Sequence, residues 1–245
     1  VSVKRQYDEI ADIYDLLSEG DDGALYFRMY AEKFLKQLKK HSCVLDCSCG
    51  TGDHAIWLAR QHFRTYASDL SKAMLQKAID KARNAGQDIQ FFASSWKNLH
   101  LKAPVQFPLI FSPGNSFSHL ESISMLDESM NGIKLCLEDD GIFAFDIRNW
   151  EKTFSDSNLV PQEFEAGKRG NKYRVKYSWD IRGWNTTCKM LVETLRINTS
   201  EYRKYEFDFF PIGYDQLKES MQKAGFNKVD RKYYPDDNYY FVSAK

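Results

Sequence analysis

The chain has no excess of either charge: 34 lysines and arginines balance 34 aspartates and glutamates. That balance leaves no electrostatic footprint for nucleic acid or for an anionic membrane, and it favours a small, near-neutral ligand. A long apolar run is missing too. No stretch approaches the roughly 20 apolar residues of a membrane span, and the charged, amphipathic opening VSVKRQYDEIADIYD has no signal-peptide centre. Nor is there a disulfide framework, because five cysteines is an odd count and three of them crowd into positions 43 to 49. The expectation is a reduced, cytoplasmic protein. Repeats, low-complexity tracts and long linkers are absent as well.

What is present suits one sizeable α/β domain with an insertion: 245 residues, 43% hydrophobic and 28% charged. Apolar residues at helical spacing (Tyr7, Ile10, Ile13, Tyr14, then Phe34, Leu35, Leu38) predict helices over residues 5–40, split by SEGDDG at 18–23. Short β-rich runs then alternate with helical ones. Strands are predicted at 43–47, 64–69, 88–94, 106–112 and 141–147, with helices at 55–61, from the cap Ser71 onward, and at 124–137. This rhythm predicts a parallel, doubly wound sheet. From Lys172 to Phe210 the texture changes to three β-rich runs separated by GWNT and NTSE, the pattern of an antiparallel meander. A helix at 214–226 and two closing strands follow.

The glycine turn VLDCSCGTGDH (44–54) admits three readings. A metal site is the least apt, since Cys43, Cys47 and Cys49 lack the paired spacing of zinc ligands and two of them lie on a buried strand. A dinucleotide is the second: Gly50-Thr51-Gly52-Asp53-His54-Ala55 matches G-x-G-x-x-A, and Asp69 ends the next strand. The third is S-adenosylmethionine. Asp46 ends strand one and opens a D-x-[GSA]-x-G-x-G loop through Ser48, Gly50 and Gly52. A carboxylate there suits a ligand carrying an ammonium group and is a poor neighbour for pyrophosphate.

With PGNSFSHL (113–120) and FDIRNWE (145–151) added to the loop, the chain resembles the class I S-adenosylmethionine-dependent methyltransferases. Within them it is similar to the glycine and glycine/sarcosine N-methyltransferases over nearly its whole length. The resemblance implies a Rossmann-like, seven-stranded α/β methyltransferase sheet with an antiparallel β-meander inserted after strand five. Residues 1–40 would form a helical lid, 41–150 and 211–245 the cofactor-binding core, and 151–210 the substrate-side insertion.

It also implies site residues. Asp69 would take the ribose hydroxyls, Met74 would pack on the adenine, Ser95 and Trp96 would read its edge, and Leu70 would join the cofactor-binding residues. Tyr7 and Arg28 would hold the cofactor's methionine carboxylate. Asn115 and Arg148 would hold the substrate carboxylate, with Gly114 and His119 near its amine. The chain departs from the family's pattern at Ser95, which stands for an Asn or Asp, and at Pro108, which stands for an Asp. It departs again near Phe209 and Phe210, where the family has a substrate tyrosine. Tyr205 or another hydroxyl would then substitute, or the preferred amine is more methylated.

The residues themselves suit such chemistry. Arg148 follows a strand whose carboxyl end faces the ligand crevice, and a guanidinium there can grip a carboxylate in bidentate fashion; a salt bridge to Asp146 or Glu151 is the competing reading. Asn115 can donate its amide, or simply form a turn. His119 can accept or relay the amine's proton, or merely bond a neighbouring loop. Tyr14 and Tyr26 can face a sulfonium or methylated ammonium, or only pack their helices. SPGN (112–115) faintly resembles the N-P-P-[YF] loop of nucleic-acid amine methyltransferases, a reading the neutral charge disfavours. The expectation is therefore an N-methyltransferase converting S-adenosylmethionine to S-adenosylhomocysteine without a metal. Its acceptor would be glycine or sarcosine, leading toward glycine betaine, and the chain could form a homo-oligomer. Another small amine or acid as acceptor, or a non-catalytic cofactor sensor, are the alternatives.

Overall fold

The computed structural model describes residues 2–18, 23–156, 161–168 and 170–245. The chain opens with α1 (Val3–Ile10), a 3-10 turn (Tyr14–Ser18) and α2 (Gly23–Leu35). Then come β1 (Cys43–Asp46), α3 (Asp53–Arg60), β2 (Arg64–Asp69), α4 (Lys72–Asn84), β3 (Ile89–Ala93), α5 (Leu99–Lys102) and β4 (Phe107–Ser112). A 3-10 turn (Ser116–His119), α6 (Ile123–Lys134), β5 (Leu137–Arg148) and α7 (Trp150–Ser155) lead into the meander. That meander is β6 (Gln162–Lys168), β7 (Asn171–Asp180), β8 (Cys188–Arg196) and β9 (Glu201–Phe209). The chain closes with α8 (Tyr214–Lys223), β10 (Val229–Tyr233) and β11 (Tyr239–Ala244).

Seven strands form one sheet in the order β3-β2-β1-β4-β5-β11-β10, and only the last hairpin runs antiparallel to its neighbours. Neighbouring residues on the central strands are buried on opposite faces, as a sheet covered on both sides requires. Leu45, Ile110, Phe143 and Phe145 pack under α6 and α8 through Leu126, Met130, Ile133, Leu217 and Met221. Val44, Leu109, Phe111 and Phe241 pack under α2 and α3 through Phe27, Tyr30, Phe34 and Leu58. The strand order reverses between β1 and β4, which opens a crevice at the carboxyl ends of these two strands.

The inserted strands form a separate antiparallel sheet, β6-β7-β8-β9, whose apolar face closes on the N-terminal segment, Met74 and Trp150. Four strands are found where three are predicted. β6 escapes the pattern because QEFEAGK is rich in charge and has no β-branched residue; pairing with β7 holds it, Phe164 opposite Val175. The short α5 and α7 are likewise additions to the expected elements. Helix α2 ends at Leu35 rather than Lys40, and α6 stops at Lys134, leaving Leu137 to begin β5. Gly225 terminates α8 in the left-handed region with φ +91°. Of the turn expected at 18–23, residues 19–22 lie outside the described residues.

Candidate active site

The turn after β1 takes its shape from two glycines. Gly50 has φ +51° and Gly52 φ +92°, a region costly for residues with a Cβ. A Cβ on Gly52 would also sit 2.9 Å from the Cβ of Ala78, so this glycine lets α3 and α4 approach closely. The Gly50 N–H donates to Asp69 Oδ2 at 2.9 Å, and the Ser71 N–H donates to Asp69 Oδ1 at 2.8 Å. One carboxylate thus ties the tips of β1 and β2 together. Asp46, fully buried, accepts from the Ser48 N–H at 3.2 Å through Oδ1, while Oδ2 has no partner. Burial, with Asp69 adding its charge, pushes the Asp46 carboxyl up to about 7. Ser48 Oγ meets Ser112 Oγ at 2.8 Å and joins the tips of β1 and β4.

Across the crevice, Gly114 and Asn115 make a left-handed turn with φ +84° and +58°. Asp146 fixes that turn by accepting the Asn115 N–H at 3.1 Å, and Asp146 is itself held by the Tyr234 hydroxyl at 2.7 Å. Asn115 Oδ1 accepts from Ser118 Oγ at 2.7 Å and from the Arg148 N–H at 2.8 Å. With its oxygen used twice, Asn115 has only the Nδ2 amide to offer a ligand. Arg148 donates from Nη2 to the Tyr239 hydroxyl at 2.6 Å and lies 4.5 Å from the centre of the Trp179 ring. Its Nε is buried without a partner, and among the described residues no carboxylate pairs with this guanidinium. The competing salt bridges do not form: Asp146 is turned to the 114–115 turn, and Glu151 accepts the Tyr214 N–H.

A family model described as a methyltransferase domain matches residues 44–141. A Geobacillus sp. (strain WCH70) protein, provisionally named a methyltransferase, is 30% identical over 232 residues, covering 91% of this chain and 90% of its own. The chain belongs to the S-adenosylmethionine-dependent methyltransferases. It is also similar to the glycine/sarcosine N-methyltransferase of Parasynechococcus marenigrum (strain WH8102), 28% identical over 198 residues, 80% of this chain and 67% of the relative. A solved S-adenosylmethionine-dependent methyltransferase from Clostridium acetobutylicum ATCC 824 shares the fold, with a TM-score of 0.76, 21% identity and 98% of both chains covered.

The residues of this methyltransferase fit its cofactor. Asp46 and Asp146 are buried and Asp69 partly so, desolvation raises the pKa of each, and among the described residues no cation pairs with any of them. A ligand bearing a sulfonium and an ammonium would relieve that cost; a pyrophosphate would deepen it. Tyr14 covers the turn, its ring edge 3.7 Å from where a Gly50 Cβ would be, and Asp69 and Asp146 both act on its hydroxyl. Arg28 reaches the first turn of α3, where Nη2 donates to the Asp53 carbonyl at 3.3 Å and Nε is buried without a partner. Leu70, next to Asp69, remains 43% exposed. Among the described residues no His/Cys/Asp/Glu group has a metal-holding arrangement.

Several expected residues turn out to do something else. Met74 is fully buried against Ile10, Ala11 and Leu16 of the N-terminal segment, so it packs that segment onto α4 rather than lining the cofactor. Trp96 is also a packing residue: its indole N–H donates to the Cys47 carbonyl at 2.9 Å and its ring stacks on Phe117. Its neighbour Ser95 accepts the Asn98 N–H through its carbonyl. Tyr7 is drawn to the acceptor side, where its hydroxyl lies 2.6 Å from His119 Nε2. The Asp208 carbonyl, 2.9 Å from His119 Nδ1, can only accept, so Nδ1 carries the proton and Nε2 accepts from Tyr7. Both ring nitrogens are therefore committed, and burial lowers the imidazole pKa to about 4. His119 holds Tyr7 in place and is no direct proton acceptor.

Tyr26 meets the ring of Tyr234 edge-on at 5.5 Å, at the back of Asp146. Tyr205 has a buried hydroxyl without a partner; the β9 rings on the acceptor side are Phe207, 5.4 Å from Tyr7, and Phe209, 4.3 Å from His119 and 5.1 Å from Trp179 between ring centres. Sequence reasoning missed Trp179, Tyr234 and Tyr239. Their signal is tertiary, since each is brought in by strand pairing from a distant hairpin.

Aspartates of the N-terminal segment stitch it to α4. Asp8 accepts from Ser71 Oγ at 2.6 Å, Asp12 pairs with Lys77 at 2.5 Å, and Asp15 pairs with Lys81 at 3.1 Å. Asp15 also accepts from Thr51 Oγ1 at 2.6 Å, which joins the segment to the glycine turn.

Proposed function

We propose that this methyltransferase transfers the methyl group of S-adenosylmethionine to the nitrogen of a small amino acid, glycine or sarcosine, leading toward dimethylglycine and glycine betaine. The observation that carries this reading is Arg148: it ends a strand inside the sheet, its backbone N–H bonds the Asn115 side chain, and among the described residues no carboxylate pairs with its guanidinium. The curated relatives named for glycine and sarcosine support it at 24% to 28% identity. An amino sugar or another amine without a carboxylate would leave Arg148 idle. The balanced charge supports a small-molecule acceptor over nucleic acid or membrane, and free cysteines support a reducing, cytoplasmic setting.

The bound cofactor supplies an electrophilic methyl group on sulfur. The protein's part is to hold the amine in line with that methyl and to exclude water, which is where most of the rate gain of such a displacement arises. Arg148 and the Asn115 amide hold the acceptor's carboxylate and so set the direction of its nitrogen. Tyr7 donates to His119 and keeps its oxygen lone pairs free to accept an amine N–H. His119, neutral near pH 7, fixes Tyr7 without trapping a proton. The amine therefore enters as its neutral form, and turnover should climb with pH toward the amine's own pKa.

The test is transfer of radiolabelled methyl to glycine, sarcosine and dimethylglycine, with sarcosinamide as an uncharged control. Labelling of at least one of the acids in preference to the amide is expected. Binding of S-adenosylmethionine with no transfer to any of them would overturn the glycine or sarcosine assignment and leave another acceptor, or a cofactor sensor, in its place.

A further inference from the structure

Arg148 ends β5, and its register partner on the antiparallel strand β11 is Tyr239. Residues directly opposed in an antiparallel pair project to the same face, so the Tyr239 ring lies alongside the arginine, 4.9 Å from the guanidinium carbon to the ring centre. A second ring comes from a different sheet. Trp179, near the end of β7, places its ring centre 4.5 Å from the same carbon. Trp179 is in turn fixed by Phe209 at 5.1 Å and by Trp150 at 6.4 Å, edge to face.

Neither neighbour is a carboxylate. A ring face attracts a guanidinium, and the face of Trp179 takes none of its hydrogen-bond donors. A carboxylate in the position of Trp179 would orient Arg148 equally well, but would neutralise it and occupy the fork that an acceptor needs. Tyr239 takes a single N–H through its hydroxyl, and Nε is left buried and unpartnered. Such an orphan donor is destabilising unless something satisfies it. The arrangement keeps an arginine rigid, charged and unspent.

We propose that Trp179 and Tyr239 form a vise that sets the plane of the Arg148 guanidinium, and that Trp179 of the inserted sheet is the positioning residue on which recognition of the acceptor's carboxylate depends. The inference rests on the reading of Arg148 as the carboxylate anchor. An arginine side chain carries about 2 kcal/mol of rotamer entropy, and ordering it before binding spares the acceptor that loss. Tyr239 comes from the seven-stranded core, and the Trp150 ring lies farther off, 5.9 Å from the guanidinium carbon. The meander supplies the nearer ring, Trp179 at 4.5 Å, which gives the insertion a role in substrate selection as well as in covering the crevice.

The experiment compares methyl transfer to sarcosine and to sarcosinamide in the wild type, Trp179→Ala, Trp179→Phe and Tyr239→Phe, with S-adenosylhomocysteine binding measured by calorimetry in each. The wild type is expected to prefer the acid. Trp179→Ala should cut that preference about tenfold, through KM for sarcosine, while S-adenosylhomocysteine affinity is unchanged. Trp179→Phe keeps a ring face and should restore most of the preference, and Tyr239→Phe should lose about threefold. A Trp179→Ala enzyme that binds S-adenosylhomocysteine and keeps the wild-type ratio overturns the vise and leaves the anchor standing. A wild type that treats acid and amide alike overturns the anchor itself, and the vise with it. If Trp179→Ala fails to fold, as loss of S-adenosylhomocysteine binding would show, Tyr239→Phe decides: an unchanged ratio there overturns the proposal.

Discussion

The two sides of the crevice are built in opposite ways. The cofactor side is local: Gly50 and Asp69, joined by a hydrogen bond, are 19 residues apart, and the parts between them are one helix and one strand. The acceptor side is assembled from afar, with Arg148 bonded to Tyr239 across 91 residues and Asp146 to Tyr234 across 88. Among the described residues, Asp46 and Asp69 on the cofactor side pair with no cation, and Arg148 on the acceptor side pairs with no carboxylate. Each side is thus charged in the sense that complements one end of the reaction, and each is held by neighbours that do not neutralise it. A methyltransferase core can keep the first half and change acceptors by changing the second.

The largest effect should come from separating the two halves at Arg148. Arg148→Ala is expected to raise KM for the amino acid about a hundredfold, as expected when one partner of a hydrogen-bonded charge pair is lost. Cofactor affinity, measured by calorimetry, should stay as in the wild type; equal loss on both sides would erase the distinction. Asp69→Ala is the mirror experiment. It removes the bonds to Gly50 and Ser71 and should weaken S-adenosylmethionine binding about thirtyfold, with KM for the acceptor little moved.

A pH titration sharpens the cofactor side further. The Asp46 carboxyl stands at about 7 in the folded protein against 3.8 for an unperturbed carboxyl, so the unfolded chain loses this proton first. Stability therefore falls as pH rises from 3.8 through about 7, as the folded state comes to hold a buried, unpaired charge. A cationic ligand offsets that charge. The rise in Tm on adding S-adenosylmethionine should grow as pH climbs toward about 7 and level off above it, with affinity gaining about tenfold per unit at most, and Asp46→Asn should flatten the dependence. Smaller still is the effect of Lys81→Met, which cuts the links to Asp15, Thr51 and Asp53. These partly exposed pairs are worth about 1 kcal/mol or less, so cofactor affinity should drop only a few-fold and become less sensitive to salt. Cys49→Ala should change neither half.

The same contrast explains what could be read from the sequence. The glycine turn, Asp46 and Asp69 are legible because a left-handed backbone and a strand-end carboxylate leave marks within a short stretch. Arg148 is legible because a strand end of an α/β sheet names its own location. Trp179, Tyr234 and Tyr239 are not, because strand register across two hairpins decides which rings meet which charges. Met74 differs for a related reason: it stands beside cofactor-loop residues in sequence, yet the core between the N-terminal segment and α4 claims its apolar surface. His119 shows a subtler limit, since only its two bonds, to Tyr7 and to the Asp208 carbonyl, reveal that its nitrogens are committed.

The most direct test of the account is the acid-over-amide ratio in methyl transfer, sarcosine against sarcosinamide, measured for the wild type and for Arg148→Ala at saturating S-adenosylmethionine. A strong preference for the acid in the wild type that collapses toward parity in Arg148→Ala is the expected result. A ratio that the substitution leaves unchanged would contradict the assignment of Arg148 as the acceptor's anchor.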